Sequence, residues 1–160
     1  MPLFPLVFIF GVLALILSKR SKKDMQISKN GLAFIIKHEG KRNKAYKDTK
    51  GLWTTGVGHL ILKHEQHLIN ATLTDEEVMK LLAADLQTAQ RAINSQGLNL
   101  TQNQFDALVS FVFNVGAGAF RRSTLLKKLK EGNAQAAAEQ FARWENKKRR
   151  EEEKQLFLQA

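Results

Sequence analysis

The feature that most constrains this chain is a change of pattern at Gly40. Before it, Leu32, Ile35, Ile36 and Glu39 recur at helical spacing on one face. Ser28 stands where a helix cap belongs, the helix runs to about Glu39, and Gly40 is available as the left-handed residue past its end. After it, between Ala45 and Leu60, aromatic and β-branched residues are broken by Gly51, Gly56 and Gly58, which predicts a small β-hairpin region. The remainder returns to helical spacing. The expected fold class is α+β and mainly helical, with a small hairpin lobe and a larger helical lobe.

The helical part carries its own punctuation. Thr74-Asp75-Glu76-Glu77 and Thr101-Gln102-Asn103-Gln104 both match the capping box, each just before an apolar-periodic run, so a helix starts at each. The second, Phe105 to Phe113, is apolar almost all round through Leu108, Val109, Phe111 and Val112, as a buried central helix is. The run Asn114-Val115-Gly116-Ala117-Gly118 ends it. Ser123 and Asn133 are caps for two further helices, with Gly132 as the stop between them. A helix continuous from Asn133 could carry Arg149 and Arg150 elsewhere, and most of the run Lys147 to Lys154 reads as a solvated helix with mixed i,i+4 charge pairs. At 160 residues, with no internal repeat, the chain has room for one compact domain of ordinary size.

The first residues differ in kind. From Pro2 to Leu17 the sequence PLFPLVFIFGVLALIL has no charged or polar side chain, and after Ser18 comes the basic run Lys19-Arg20-Ser21-Lys22-Lys23. This length lies at the short edge of a membrane-spanning helix and exceeds most signal-peptide cores. Basic residues ahead of the apolar run and small residues at a cleavage site are both absent, which favours an uncleaved anchor over residues 1–18, with 19–27 as a basic and polar link and 28–160 as the folded domain. The net charge of +10 is concentrated accordingly, since those four Lys and Arg residues account for four of the ten. Such a surplus favours polyanionic partners without choosing among nucleic acid, anionic lipid and acidic wall polymers. The chain has no cysteine, which excludes disulfides and thiolate chemistry and leaves the compartment open.

Chemistry concentrates between His38 and His59. Helical spacing puts the Glu39 carboxyl on the face of Leu32, Ile35 and Ile36, where apolar surroundings favour the protonated acid that a leaving oxygen needs from a general acid. Nine residues on, Asp48 lies in the turn-forming Lys47-Asp48-Thr49-Lys50-Gly51, a wetter setting that keeps a carboxylate ionised. Glycoside hydrolysis uses such a pair, one carboxyl to protonate the leaving group and one to support water attack or the developing positive charge. On spacing alone, Asp48 is equally well a turn-former. His59 ends a Gly-x-Gly turn and reads as a hydrogen-bonding residue tying the hairpin to the helical lobe. His38, His64 and His67 have no ligand spacing that argues for zinc, and read as surface histidines. Asn114 either faces substrate at the end of the central helix or only caps it.

At these residues the sequence resembles the phage-type lysozymes, or endolysins, of glycoside hydrolase family 24. The resemblance is carried by HEG at 38–40 and AYKDTKGLWTTGVGH at 45–59, and extends through FNVGAGAF at 113–120, STLLKKL at 123–129 and RREEEKQLFL at 149–158. It implies a lysozyme-like fold and a muramidase that cuts the β-1,4 bond between N-acetylmuramic acid and N-acetylglucosamine. Glu39 would be the general acid, with Asp48 and Thr54 holding and activating water for inversion at the anomeric carbon. Thr54 rather than Thr55 is implied because the family motif places it there. No metal or cofactor is implied, and the expected partners are bacterial peptidoglycan and, through residues 1–18, the inner membrane. A monomer is expected, acting in the periplasm or on the wall. Nucleic acid is not an expected partner, since no helix-turn-helix, zinc or aromatic-basic motif appears.

Two departures from the pattern accompany the resemblance. The positive-inside tendency would hold the basic run, and everything after it, in the cytoplasm. Release from the membrane, or waiting inside for a lesion, would reconcile that with a wall-cutting role. The family also has a longer stretch with glycines and a proline after the position of Trp144, where only Glu145-Asn146-Lys147-Lys148 precede the paired arginines here. That stretch lines the cleft, and one of the arginines can pair with the catalytic glutamate. The shortening leaves open whether Arg149 or Arg150 reaches Glu39, and makes a weakly active, membrane-anchored wall-binding protein the alternative function.

Overall fold

The computed structural model describes residues 24–159, so the anchor assigned to residues 1–18 and the basic run after it lie outside the described residues. Among the described residues, no helix is long and apolar enough to cross a membrane. The order of elements is helix α1 (Lys29–Glu39), strands β1 (Arg42–Lys47), β2 (Trp53–Gly56) and β3 (His59–Leu60), and a 3-10 segment (Lys63–Asn70). Then follow α2 (Asp75–Asn94), α3 (Gln102–Val115), α4 (Ala117–Arg121), α5 (Thr124–Lys130), α6 (Ala134–Glu139), a 3-10 turn (Phe141–Arg143) and α7 (Lys147–Leu158).

The predicted helix starts form as written in the sequence. The side chains of Ser28, Thr74, Thr101, Ser123 and Asn133 each accept from a backbone N–H in the first turn of the helix that follows, and Thr74 and Thr101 complete reciprocal capping boxes with Glu77 and Gln104. The β region is a three-stranded antiparallel sheet in the order β1-β2-β3, beginning at Arg42 rather than Ala45. Its register pairs Tyr46 with Thr54, Lys47 with Trp53, Thr54 with Leu60 and Thr55 with His59, with a bulge between Arg42 and Tyr46.

Helix α3 is the centre of the molecule. Every residue from Phe105 to Val112 is buried, and α1, α2 and α7 all pack on it. The Phe111 ring meets Phe141 and Trp144 edge-on, at centroid distances of 5.2 and 5.1 Å. Gly116, not Asn114, closes α3: its N–H bonds the Val112 carbonyl, which leaves the exposed Asn114 side chain free of a capping role.

One expectation is corrected by the course of the chain after α6. The helix from Asn133 is not continuous, since it ends at Glu139, passes through the 3-10 turn and restarts at Lys147. Asn146, in a left-handed conformation with φ 64°, makes the reversal, and the Lys147 ammonium ties it by donating to the carbonyls of Ala142 (2.8 Å) and Trp144 (3.0 Å). The polar link before α1 is held by side chains of the helical lobe. Met25 N–H donates to Asn94 Oδ1 (3.0 Å), Ile27 N–H to Gln90 Oε1 (2.8 Å) and Ser28 N–H to Asp106 Oδ1 (3.0 Å), while Asn94 and Gln102 donate to the carbonyls of Met25 and Gln26. Side chains of α2 and α3 thereby satisfy an extended backbone, which a solvated linker would leave to water. Gly31 in α1 lies so close to Asp106 that an added Cβ would stand 2.6 Å from its Cγ, so α1 sits directly on α3.

Candidate active site

Glu39 is the last residue of α1, and its side chain is 23% exposed. Its surroundings are not the apolar pocket expected from helical spacing. The Arg149 guanidinium donates from Nη1 to Glu39 Oε1 at 2.5 Å, so a full positive charge lies against the carboxyl. On its other side the carboxyl meets the hairpin. Gly58 has φ +70° in the turn between β2 and β3, and a Cβ there would stand 3.5 Å from Glu39 Oε2. A glycine at this turn therefore serves both the backbone conformation and the close approach.

Arg149 is held from behind. It is 3% exposed, its Nε donates to Glu153 Oε1 (3.1 Å) and its Nη2 to the Ser110 carbonyl and hydroxyl (both 3.2 Å). Ser110 Oγ in turn donates to Glu153 Oε1 at 2.7 Å. Arg150 points its Nη2 at Asn114 Oδ1 (2.9 Å) and Glu153 Oε1 (3.3 Å), with its guanidinium 5.0 Å from the Phe111 ring centre. Its Nε lies 3.0 Å from Glu153 Oε2, an ion-pair distance without the alignment a hydrogen bond needs. Burial pushes the Glu153 carboxyl up, while Arg150, the Ser110 hydroxyl and Arg149 pull against it. The net shift is upward from the ordinary carboxylate value, and the two guanidiniums in contact are what favour the anion there. The solvated face expected over most of Lys147 to Lys154 is interrupted by Arg149, Arg150 and Glu153, which are all buried against α3. The short turn after Trp144 does not keep Arg149 from Glu39.

Asp48 sits at the tip of the β1–β2 hairpin, half-buried. Its Oδ1 accepts from the N–H groups of Lys50 (2.8 Å) and Leu52 (2.9 Å), and its own N–H donates to the Leu52 carbonyl. It therefore shapes the turn with one oxygen. Thr54 pairs with Tyr46, two residues before Asp48, so alternation places Thr54 and Asp48 on the same face of the hairpin as diagonal neighbours. Thr54 is 5% exposed and its hydroxyl bonds the Leu52 carbonyl at 3.3 Å. Thr55 faces the other way and is fully buried.

His59 spans three elements. Its Nδ1 stands 2.9 and 3.0 Å from the two oxygens of Asp85 on α2, and its Nε2 stands 3.1 Å from Glu65 in the 3-10 segment. Burial alone would lower the His59 pKa, but the hydrogen bonds and charges of Asp85 and Glu65 outweigh it and raise the value. A raised folded value stabilises the fold below the free-imidazole value of about 6.5, and the contribution is lost as pH rises through the raised value. The melting temperature of the parent minus that of Asp85→Asn is therefore expected to be larger at pH 5.5 than at pH 9. A difference that is flat with pH would remove the charged His59 from the account. His38 is not the surface residue expected: its side chain is 11% exposed, stacks on Phe34 and lies 3.1 Å from Glu152. Burial, then Arg149, hold it below the usual histidine range against the pull of Glu152.

Among the described residues, no group of three His, Asp or Glu is placed to hold a metal ion. Asp85, Glu65, Ser110 and Glu153 were not among the residues the sequence singled out, and Gly58 was singled out only as a turn glycine. The one signal present was the spacing of Glu153, at i+4 from Arg149 and i+3 from Arg150.

A helix-borne glutamate that meets a glycine-turned hairpin on one side and an arginine from the closing helix on the other, in a fold of one small sheet and a helical lobe, defines a glycan hydrolase of the lysozyme class. The chain belongs to the phage lysozyme family, whose model matches residues 36–156. It is 42% identical over 144 residues to the endolysin of Salmonella phage P22, covering 84% of this chain and 99% of that protein. It is 41% identical over 107 residues to the SAR-endolysin of Bacteriophage PS119, covering 66% of this chain and 62% of that one. Among solved structures, the crystal structure of a P22 lysozyme mutant superposes with a TM-score of 0.78 at 41% identity, over 84% of this chain and 99% of the other. The muramidase domain of SpmX from Asticaccaulis excentricus gives 0.73 at 37%, with the same coverage. The protein is a phage-type peptidoglycan hydrolase.

Proposed function

We propose that this muramidase cleaves the β-1,4 bond between N-acetylmuramic acid and N-acetylglucosamine with inversion, Glu39 protonating the leaving oxygen while Asp48 and Thr54 hold and activate the attacking water. The observation that carries the proposal is the position of Glu39, whose carboxyl lies between the hairpin turn at Gly58 and the helical lobe at Arg149. Asp48 supports it with a carboxylate whose second oxygen is not used by the turn, on the same hairpin face as Thr54. His59 fixes the hairpin to α2, and Asn114, with its amide oriented by Arg150, lines the substrate side of α3. In this scheme no cofactor takes part.

Residues 1–18 act as a membrane anchor, and the domain works as a monomer on the wall from the periplasmic side. The apolar run Pro2–Leu17 supports the anchor, as does the likeness to proteins named SAR-endolysins. The full chain, purified in detergent, is expected to clear purified peptidoglycan and to generate new reducing ends. Anhydro-sugar products would instead mean transglycosylation, and no clearing would return the wall-binding alternative. Protease accessibility of a C-terminal tag in spheroplasts decides the orientation of the anchor.

A further inference from the structure

We propose that Glu153 is a positioning residue for the reaction: by sharing Arg149 with Glu39 it aims the guanidinium and offsets its charge, so that Glu39 can hold a proton to give away. The proposal rests on Glu39 being the general acid. A lone guanidinium against a carboxyl favours the anion, which is the wrong state for that role. Arg149 is not alone. Its planar fork is bound at Nε by Glu153 and at Nη2 by Ser110, which leaves Nη1 as the edge presented to Glu39. Glu153 is fully buried, so its charge acts on Arg149 where water screens least.

The charged groups around Glu39 leave this task to Glu153. From α7 come Arg149, with Arg150 behind it, and Glu153. On α1 itself, Lys37 and His38 both turn to Glu152, at 2.6 and 3.1 Å. The hairpin brings the Gly58 backbone and, at its tip, the Asp48 carboxyl of the proposed scheme, which no bond links to Arg149, and α3 brings the neutral Ser110 and Asn114. Among the described residues, Glu39 and Glu153 are the two carboxyls in ion-pair contact with Arg149.

The test is the pH profile of kcat/KM on peptidoglycan for the full chain and for Glu153→Gln, which keeps an acceptor for Arg149 and Ser110 and removes the charge. The alkaline limb is expected to move to lower pH by about one unit, close to a tenfold loss of activity above the limb. In an Arg149→Met background the same substitution is expected to leave the limb where it is. A folded Glu153→Gln protein whose limb coincides with that of the parent overturns the proposal, whatever happens to its maximal rate. If that variant does not fold, Glu153→Asp, which keeps the charge but draws it back, must move the limb in the same direction by less, and an unmoved limb is again fatal. Parental activity in Glu39→Gln would mean instead that the acid assignment had failed.

Discussion

Glu39→Gln is expected to slow peptidoglycan clearing at least about 100-fold while the protein stays folded. Positioned general acids contribute roughly 10²–10⁴ in rate, and an amide of the same shape has no proton to give. The loss belongs in kcat more than in KM, because the group acts in the transition state and not in gripping the glycan. The fold should survive because the amide oxygen can still accept from Arg149 Nη1, and because Glu39 is partly exposed rather than sealed in the core. Turbidity clearing alongside circular dichroism and melting temperature checks both halves. A folded variant that retains half the parental rate would remove Glu39 from the mechanism and leave Asp48 to be tested as the acid.

The parts of this architecture visible in the sequence were those governed by neighbours a few residues away. Ser28, Thr74 and Thr101 cap helices through contacts three residues long, and the glycines at 56 and 58 mark turns by their own backbone freedom. Glu39 was placed on the right face of α1 for the same reason, since 3.6-residue periodicity alone put it beside Ile35 and Ile36. Its charged neighbour was offered only by the family resemblance, as Arg149 or Arg150, and by nothing local, because Arg149 lies 110 residues away and reaches Glu39 only after α7 has packed on α3.

The cluster on α7 was misread for a physical reason. In the sequence, Lys147 to Lys154 alternates charges at spacings that look the same whether the pairs are solvated or buried. What decides between them is whether α3 offers polar partners at that height. Ser110 and Asn114 do so, one helical turn apart on α3, and Phe111 between them receives the Arg150 guanidinium on its ring. The rail that holds Met25 to Ser28 escaped notice in the same way, being built from Asn94, Gln90, Gln102 and Asp106, which nothing local links to that segment. The shortened turn after Trp144 matters less than its length suggests. Asn146 supplies the left-handed step and Lys147 caps the preceding carbonyls, so α7 starts three residues after Trp144 with both arginines facing inward.

Glu153→Leu is expected to cost about 3–5 kcal/mol, the usual range when one member of a buried charge cluster is removed and its partners are left uncompensated. Glu153 is the fully buried carboxyl of the cluster and the member that both guanidiniums touch. Without it, Arg149 and Arg150, 3% and 1% exposed, remain side by side with no buried carboxyl between them. For a domain of this size the loss corresponds to a fall in melting temperature of about 10 °C or more. Arg149→Met should cost less, because Glu153 keeps Arg150 and Glu39 has an exposed edge through which to meet water. The double variant Arg149→Met/Glu153→Leu is then expected to be more stable than Glu153→Leu alone, since removing the second guanidinium relieves the repulsion that the first substitution creates. Thermal melts of the three proteins give the ordering directly. A double variant less stable than Glu153→Leu would mean that Arg149 stabilises the fold through its packing and its bonds to Ser110, and that charge balance is not what holds α7 against α3.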